Sequence, residues 1–217
     1  LAFERAVNQQ KLSGPDRGFA RAMAATVLRR LGQIDEAVDL FLRRPLPKRA
    51  ITPRNILRLG AAQILFLETP AHAAVSETTD LASAKNKTYR GLTNAVLRRI
   101  AEAGPELLEN QTAARLNTPE WLWQSWRKSY GDETSLAIAE AHQLEPPLDI
   151  SLLKGDPADW PEKLEATLLP TGSLRRTVSA AVPDLAGFAD GVWQVQDAAA
   201  ALPARMLGDV SGKHIID

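Results

Sequence analysis

The chain of 217 residues contains no cysteine, which excludes disulfides, thiolate metal sites and a cysteine nucleophile within this stretch. Aromatic residues make up only 6% of it, against 45% hydrophobic residues overall, a balance that suits a helix-rich globular protein. No apolar run approaches the ~20 residues needed to span a bilayer, because charge interrupts every candidate stretch. The three histidines, His72, His142 and His214, stand too far apart for metal-ligand spacing. No P-loop, glycine-rich dinucleotide loop, paired-carboxylate site or Ser/His/Asp set is present. These absences point to a protein of the cytoplasm with neither membrane span nor metal, and with no catalytic residue in this chain.

What is present is a charge asymmetry hidden by a net charge of zero. Residues 1–105 hold 17 Lys and Arg against 9 Asp and Glu, a net of +8; residues 106–217 hold 9 against 17, a net of −8. Two units facing different partners are expected, with the basic half the candidate for a polyanion.

The first half reads as successive amphipathic helices. Phe19, Met23, Val27 and Leu31 recur every fourth residue in Asp16–Leu31, with Gly32 as the expected stop. Ile34–Arg43 carries a second apolar stripe. Thr52-Pro53 has the form of an N-cap followed by proline, opening Arg54–Glu68, which is apolar nearly all round and is expected at the centre of a bundle. His72–Ala84 and Thr88–Ala103 follow, and Leu1–Gln10 supplies a further helix. Residues 1–105 are thus expected to form an all-α domain, and the polar stretch 106–118 a linker. A tryptophan-rich helix then opens at Thr118-Pro119 and stops at Gly131, and Asp132–Gln143 forms another.

The pattern changes at Pro146-Pro147. Leu148–Leu153, Ser173–Ala181 and Trp193–Val195 read as strands, Pro157–Ala166 as a short helix, and Asp197–Leu207 as an alanine-rich helix with Asp197 as N-cap. The run Lys213–Asp217 reads as an incoming buried strand, so that the chain is expected to be cut rather than finished. Residues 119–212 form the expected α/β (α+β) domain.

Chemistry concentrates on one helix face. Arg90, Asn94 and Arg98 are spaced i, i+4, i+8, with Arg99 beside them and Lys85 and Lys87 just upstream, while Leu92, Val96 and Ile100 face the core. A row of guanidinium and amide groups suits a phosphate backbone, although such stripes are also found as plain solvated faces. Arg29-Arg30 is a further basic pair. Trp121, Trp123, Trp126 and Tyr130 either stack on unpaired bases or fasten their helix to a neighbour, and packing is the preferred reading.

Several runs resemble the ribosomal RNA cytosine-5 methyltransferases of the Sun/Fmu/RsmB family. They are Asp16-Arg17 with Val27–Leu31, Leu59–Thr78, Gly91–Arg99, Pro119–Leu122, Glu145–Leu152, Phe188–Ala200 and the final His214–Asp217, in family order over nearly the whole chain. The resemblance implies a NusB-like helical RNA-binding domain over 1–105, a pre-catalytic α/β domain over 119–212 and, at 213–217, the first strand of a Rossmann-type core binding S-adenosyl-L-methionine (SAM). It implies ribosomal RNA as partner, Asp217 immediately before the SAM loop, and Gln196 and Asp197 at the border of the active site. The family's two cysteines, one attacking C6 of cytosine and one assisting release, are not in this chain. Relatives commonly read Pro-Pro-x-x-Arg-x-Asn where this chain has Asp149 in its strand, so RNA contact is assigned mainly to residues 1–105. The alternatives are a NusB-like antitermination or assembly factor without catalysis, and a module whose basic face meets an acidic protein.

Overall fold

The computed structural model describes residues 2–177 and 182–216, which fall into two compact units divided between Leu144 and Glu145. The first unit opens with α1 (Ala2–Gln9), α2 (Gly14–Arg29), α3 (Leu31–Leu40), α4 (Ile51–Phe66), α5 (Ala71–Lys85) and α6 (Arg90–Ala103). Helix α4 packs against α2, α3, α5 and α6, as its all-round apolar surface leads one to expect. Ile34, Leu57, Leu97 and Ile100 are fully buried at the centre. On α6, Thr93, Val96, Leu97 and Ile100 are inward, which is the i, i+3, i+4, i+7 spacing of one helical face.

Two helix boundaries depart from expectation. The break after α2 falls at Arg30 (φ −110°, ψ 22°), and Gly32 lies inside α3. Gly32 answers to packing instead: a Cβ there would stand 1.9 Å from the carbonyl oxygen of Leu116. Helix α4 begins at Ile51 rather than on a Thr52 cap, and the N–H of Arg54 donates to the Ala50 carbonyl at 3.1 Å. Pro53 is tolerated because the first turn has no intrahelical acceptor for its missing N–H.

Residues 106–118, expected as an irregular linker, carry two one-turn helices, α7 (Glu106–Glu109) and α8 (Ala113–Leu116), and are held by amides. The backbone N–H of Gln33 donates to Asn117 Oδ1 at 3.1 Å, Asn117 Nδ2 donates to Gln33 Oε1 at 2.9 Å, and Gln33 Nε2 donates to Gln111 Oε1 at 3.1 Å. Polarity in this stretch serves a buried network, since Gln33 is only 4% exposed. Helix α9 (Glu120–Ala141) is interrupted at Gly131 (φ 78°, ψ 176°), the expected stop, since only glycine adopts that conformation without strain.

The second unit is a four-stranded sheet in the order β2-β3-β1-β4, built from β1 (Leu148–Leu152), β2 (Thr167–Leu168), β3 (Leu174–Arg176) and β4 (Trp193–Val195), every neighbour antiparallel. Ile150, Leu164, Leu174 and Trp193 form its core. Helix α10 (Ala198–Met206) packs on β1. The unit is therefore α+β, and no Rossmann core is found among the described residues. The expected helix at Pro157–Ala166 is reduced to a 3₁₀ turn at Pro157–Asp159: Pro161 removes a backbone donor and Glu165 has φ 46°, which ends any helical run there. Of the expected strand Ser173–Ala181, residues 178–181 lie outside the described residues. Residues 213–216 are irregular rather than a strand, with no strand pairing among the described residues, and Ile216 is 98% exposed. Asp217 lies outside the described residues.

Candidate nucleic-acid interface

Helices α5 and α6 lie side by side, joined by a 3₁₀ turn at Lys87–Tyr89 that Asn86 caps by accepting the Thr88 N–H at 3.0 Å. Because Thr93, Val96 and Ile100 of α6 turn inward, Arg90, Asn94 and Arg98 fall on the flank of the helix beside α5, where they line a cleft of about 440 Å³. The facing wall is His72, Ser76 and Asp80 of α5, which repeat the same i, i+4, i+8 spacing. The stripe expected from sequence is thus one wall of a cleft. Its other wall is legible from the same rule applied one helix earlier.

Beyond the turn, Arg49, Thr52, Lys85, Asn86 and Tyr89 line a second cleft, also of about 440 Å³. Tyr89 of the second cleft directly precedes Arg90 of the first in sequence, and the two clefts share no lining residue.

Charge pairing leaves this side cationic. Three acids of α1 and α3 are engaged elsewhere: Glu4 pairs with Arg17, Asp39 with Arg54 at 2.6 Å, and Asp35 with Arg58 at 2.6 Å. Hydrogen bonding to Asp35 raises the Arg58 pKa despite partial burial. Lys85, Lys87, Arg90, Arg98 and Arg99 are exposed and have no ion-pair partner among the described residues. Local acidity comes from Asp80 and Glu102, which also line the first cleft.

The other candidates are placed differently. Arg29 is half-buried at the end of α2. Arg30 donates to Gln143 Oε1 at 3.1 Å and lies over the Phe66 ring, 5.6 Å from its centroid; burial, then the neighbouring Arg29 charge, lowers its pKa. In the second unit, Asp197 accepts the N–H groups of Ala199 and Ala200 at 2.8 and 3.1 Å, which is the expected N-cap. The half-buried Gln196 donates its backbone N–H to the Asp149 carbonyl at 3.1 Å. The aromatic cluster divides: Arg115 lies over Trp123 at 5.3 Å and Trp126 meets His142 edge-on at 5.2 Å, whereas Trp121 and Tyr130 are 72% and 59% exposed.

Asp149, which the sequence marks only as a departure from a basic residue, has a structural place of its own. It is 4% exposed, accepts both Nε and Nη2 of Arg175 at 2.7 Å, and accepts the Ala198 N–H at 3.0 Å. The hydrogen bond from Arg175 holds its carboxyl below the usual range, against the opposing effect of burial. No short-range sequence signal joins positions 149, 175 and 198. Among the described residues, no helix is long and apolar enough to cross a membrane, and no group of three His, Cys, Asp or Glu gathers to hold a metal ion.

Residues 1–102 match the NusB family. The chain is 32% identical over 231 aligned residues to ribosomal RNA small subunit methyltransferase B from Shigella flexneri serotype 5b (strain 8401). The same identity holds for the protein of that name from Escherichia coli O139:H28 (strain E24377A / ETEC). Each alignment takes in 96% of this chain and 51% of the relative, so the chain spans about half the length of the curated relatives it matches. In fold it is similar to the crystal structure of PH0851, with a TM-score of 0.67 at 16% identity, over 94% of this chain and 50% of that one. The chain therefore carries a NusB-family domain at residues 1–102 and is similar, over nearly its whole length, to part of the ribosomal RNA small subunit methyltransferase B proteins.

Proposed function

We propose that this chain is the RNA-binding and positioning portion of a SAM-dependent ribosomal RNA methyltransferase that modifies cytosine at C5. Residues 1–105 supply the RNA contact, 119–212 form the pre-catalytic domain, and 213–217 lead towards the SAM-binding domain. The observation that carries the reading is the α5–α6 cleft, where Arg90 and Arg98 stand without ion-pair partners among the described residues, with Asn94 between them, inside a NusB-family domain. Guanidinium groups not held in an ion pair keep their donors available for phosphate even with Asp80 and Glu102 in the same cleft, and the amide adds a neutral donor and acceptor. Lys85, Lys87 and Arg99 extend the field around the cleft. Arg30 is held by Gln143 and contributes to folding instead.

The residues described do not form a SAM site. The Asp197 carboxylate is occupied by two backbone N–H groups of α10, and no glycine-rich turn opening a helix lies beside Gln196. Gln196 and Asp197 are proposed to border the active site by fixing the start of α10, and no step of methyl transfer is assigned to them. An antitermination or assembly factor of the NusB kind would use the first domain but leaves the second unit, and its similarity to the methyltransferases, without a role.

The reading is tested by the RNA affinity of the chain as a function of salt. Affinity is expected to fall steeply with ionic strength and to drop in an Arg90→Ala/Arg98→Ala variant. An affinity that salt leaves unchanged overturns the proposal.

A further inference from the structure

We infer that the α5–α6 cleft receives a base of unpaired RNA. This rests on the proposed RNA-binding role and narrows it from polyanions at large to single strands. The first argument is the composition of the walls. A trough built only for phosphates has no use for carboxylates, yet Asp80 and Glu102 line the same cleft as Arg90 and Arg98. Carboxylates facing a phosphate chain repel it. They are suited instead to the amino and imino donors on base edges, which cations do not accept from. Asn94, half-buried between the arginines, offers a donor and an acceptor at once.

The second argument is an orphan. Thr79 lines the cleft at 6% exposure, and its Oγ1 is buried with no hydrogen-bond partner. A buried hydroxyl without a partner is unfavourable, and threonine in a helix has two accessible χ1 wells, so rotation towards an occupant of the cleft would relieve it. The third argument is extent. A second cleft of equal volume, lined by Tyr89 with Arg49 and Lys85, offers an aromatic ring beside cations on the same helical unit. A recess with cations at its border suits a strand whose base turns inward and whose phosphates stay at the rim. A duplex keeps its bases stacked and paired, and it cannot fill either recess.

The test uses the full chain and three labelled RNA probes followed by fluorescence anisotropy: a short single strand, the same strand in a duplex, and the single strand with abasic sites. The variants are Thr79→Val and Asp80→Asn. Because Thr79 Oγ1 has no partner, Thr79→Val is expected to leave thermal unfolding unchanged or slightly raised; Asp80 is exposed, so its variant reports independently of the core. The single strand is expected to bind roughly tenfold more tightly than either other probe, because only it presents free base edges. Each variant is expected to weaken the single strand by roughly three- to tenfold, with little effect on the duplex. Equal affinity for all three probes overturns the inference while leaving the RNA-binding role standing. So does tighter binding by Asp80→Asn, which would make that carboxylate a repulsive neighbour only. Absence of binding to every probe at low salt overturns the RNA-binding role itself.

Discussion

Asp149 and Arg175 face each other across the β1–β3 pair and form two parallel hydrogen bonds of 2.7 Å, Nε to Oδ1 and Nη2 to Oδ2. The carboxylate also receives the Ala198 N–H from the first turn of α10, so one side chain fixes two strands and a helix start. Replacing Asp149 by alanine leaves a buried N–H without its acceptor and removes a bidentate partner. We expect a loss of roughly 2–3 kcal/mol in urea unfolding of the second unit. A loss below a tenth of that would remove Asp149 from the structural account.

The same pair sets an acid limb. The Asp149 carboxyl is held below its ordinary value by Arg175 in the folded chain, so the unfolded chain takes up the proton first as pH falls. The contribution is complete above the unfolded value of about 4 and is lost as pH descends through the lower folded value. Asp149→Asn should therefore lower stability at neutral pH and flatten the decline below about pH 4. An unchanged acid limb in that variant would contradict the assignment.

Gly32 tests packing against propensity. In an exposed helix, Gly→Ala gains up to about 1 kcal/mol. Here the new methyl would meet the Leu116 carbonyl at 1.9 Å, a backbone clash that no rotamer change relieves. Overpacking of this kind costs about 1–3 kcal/mol or more, so the sign reverses and Gly32→Ala should lower the melting temperature. A raised melting temperature would show that α8 does not approach α3 this closely.

Asn117 joins the α8 end to α3 through the Gln33 backbone and side chain, and donates to Gln143 Oε1 at 2.7 Å. Asn117→Ala should cost roughly 2–3 kcal/mol, because Gln33 is left buried with unmet groups. Asn117→Asp should be comparably damaging, since a carboxylate keeps the acceptor but gives up both donated bonds. Urea denaturation of the three proteins decides the matter; two stable variants would refute the network.

Much of the helical unit is legible in the sequence because its signals are local. The inward set Thr93, Val96 and Ile100 and the outward set Arg90, Asn94 and Arg98 are the two faces of one 3.6-residue period, and the structure places the outward set in a cleft. Gly131 breaks its helix where expected, for the same local reason. What the sequence hides depends on distant partners. Gly32 reads as a stop until Leu116 is known to lie against it, and Gln33, Gln111 and Asn117 read as linker polarity until they bond to one another. The two-residue strand β2 is too short to show alternation. Asp149 reads as a missing basic residue, because its partners stand 26 and 49 positions away.

The central claim, that α5 and α6 present an RNA-binding cleft, is tested most directly by titrating the chain with single-stranded RNA over a series of salt concentrations. The plot of log affinity against log salt is expected to be linear and steep. Arg90→Ala/Arg98→Ala should make it shallower by about 0.7 for each phosphate that is no longer neutralised, while leaving thermal unfolding unchanged. A slope that the double variant does not alter would place the RNA elsewhere and contradict the account.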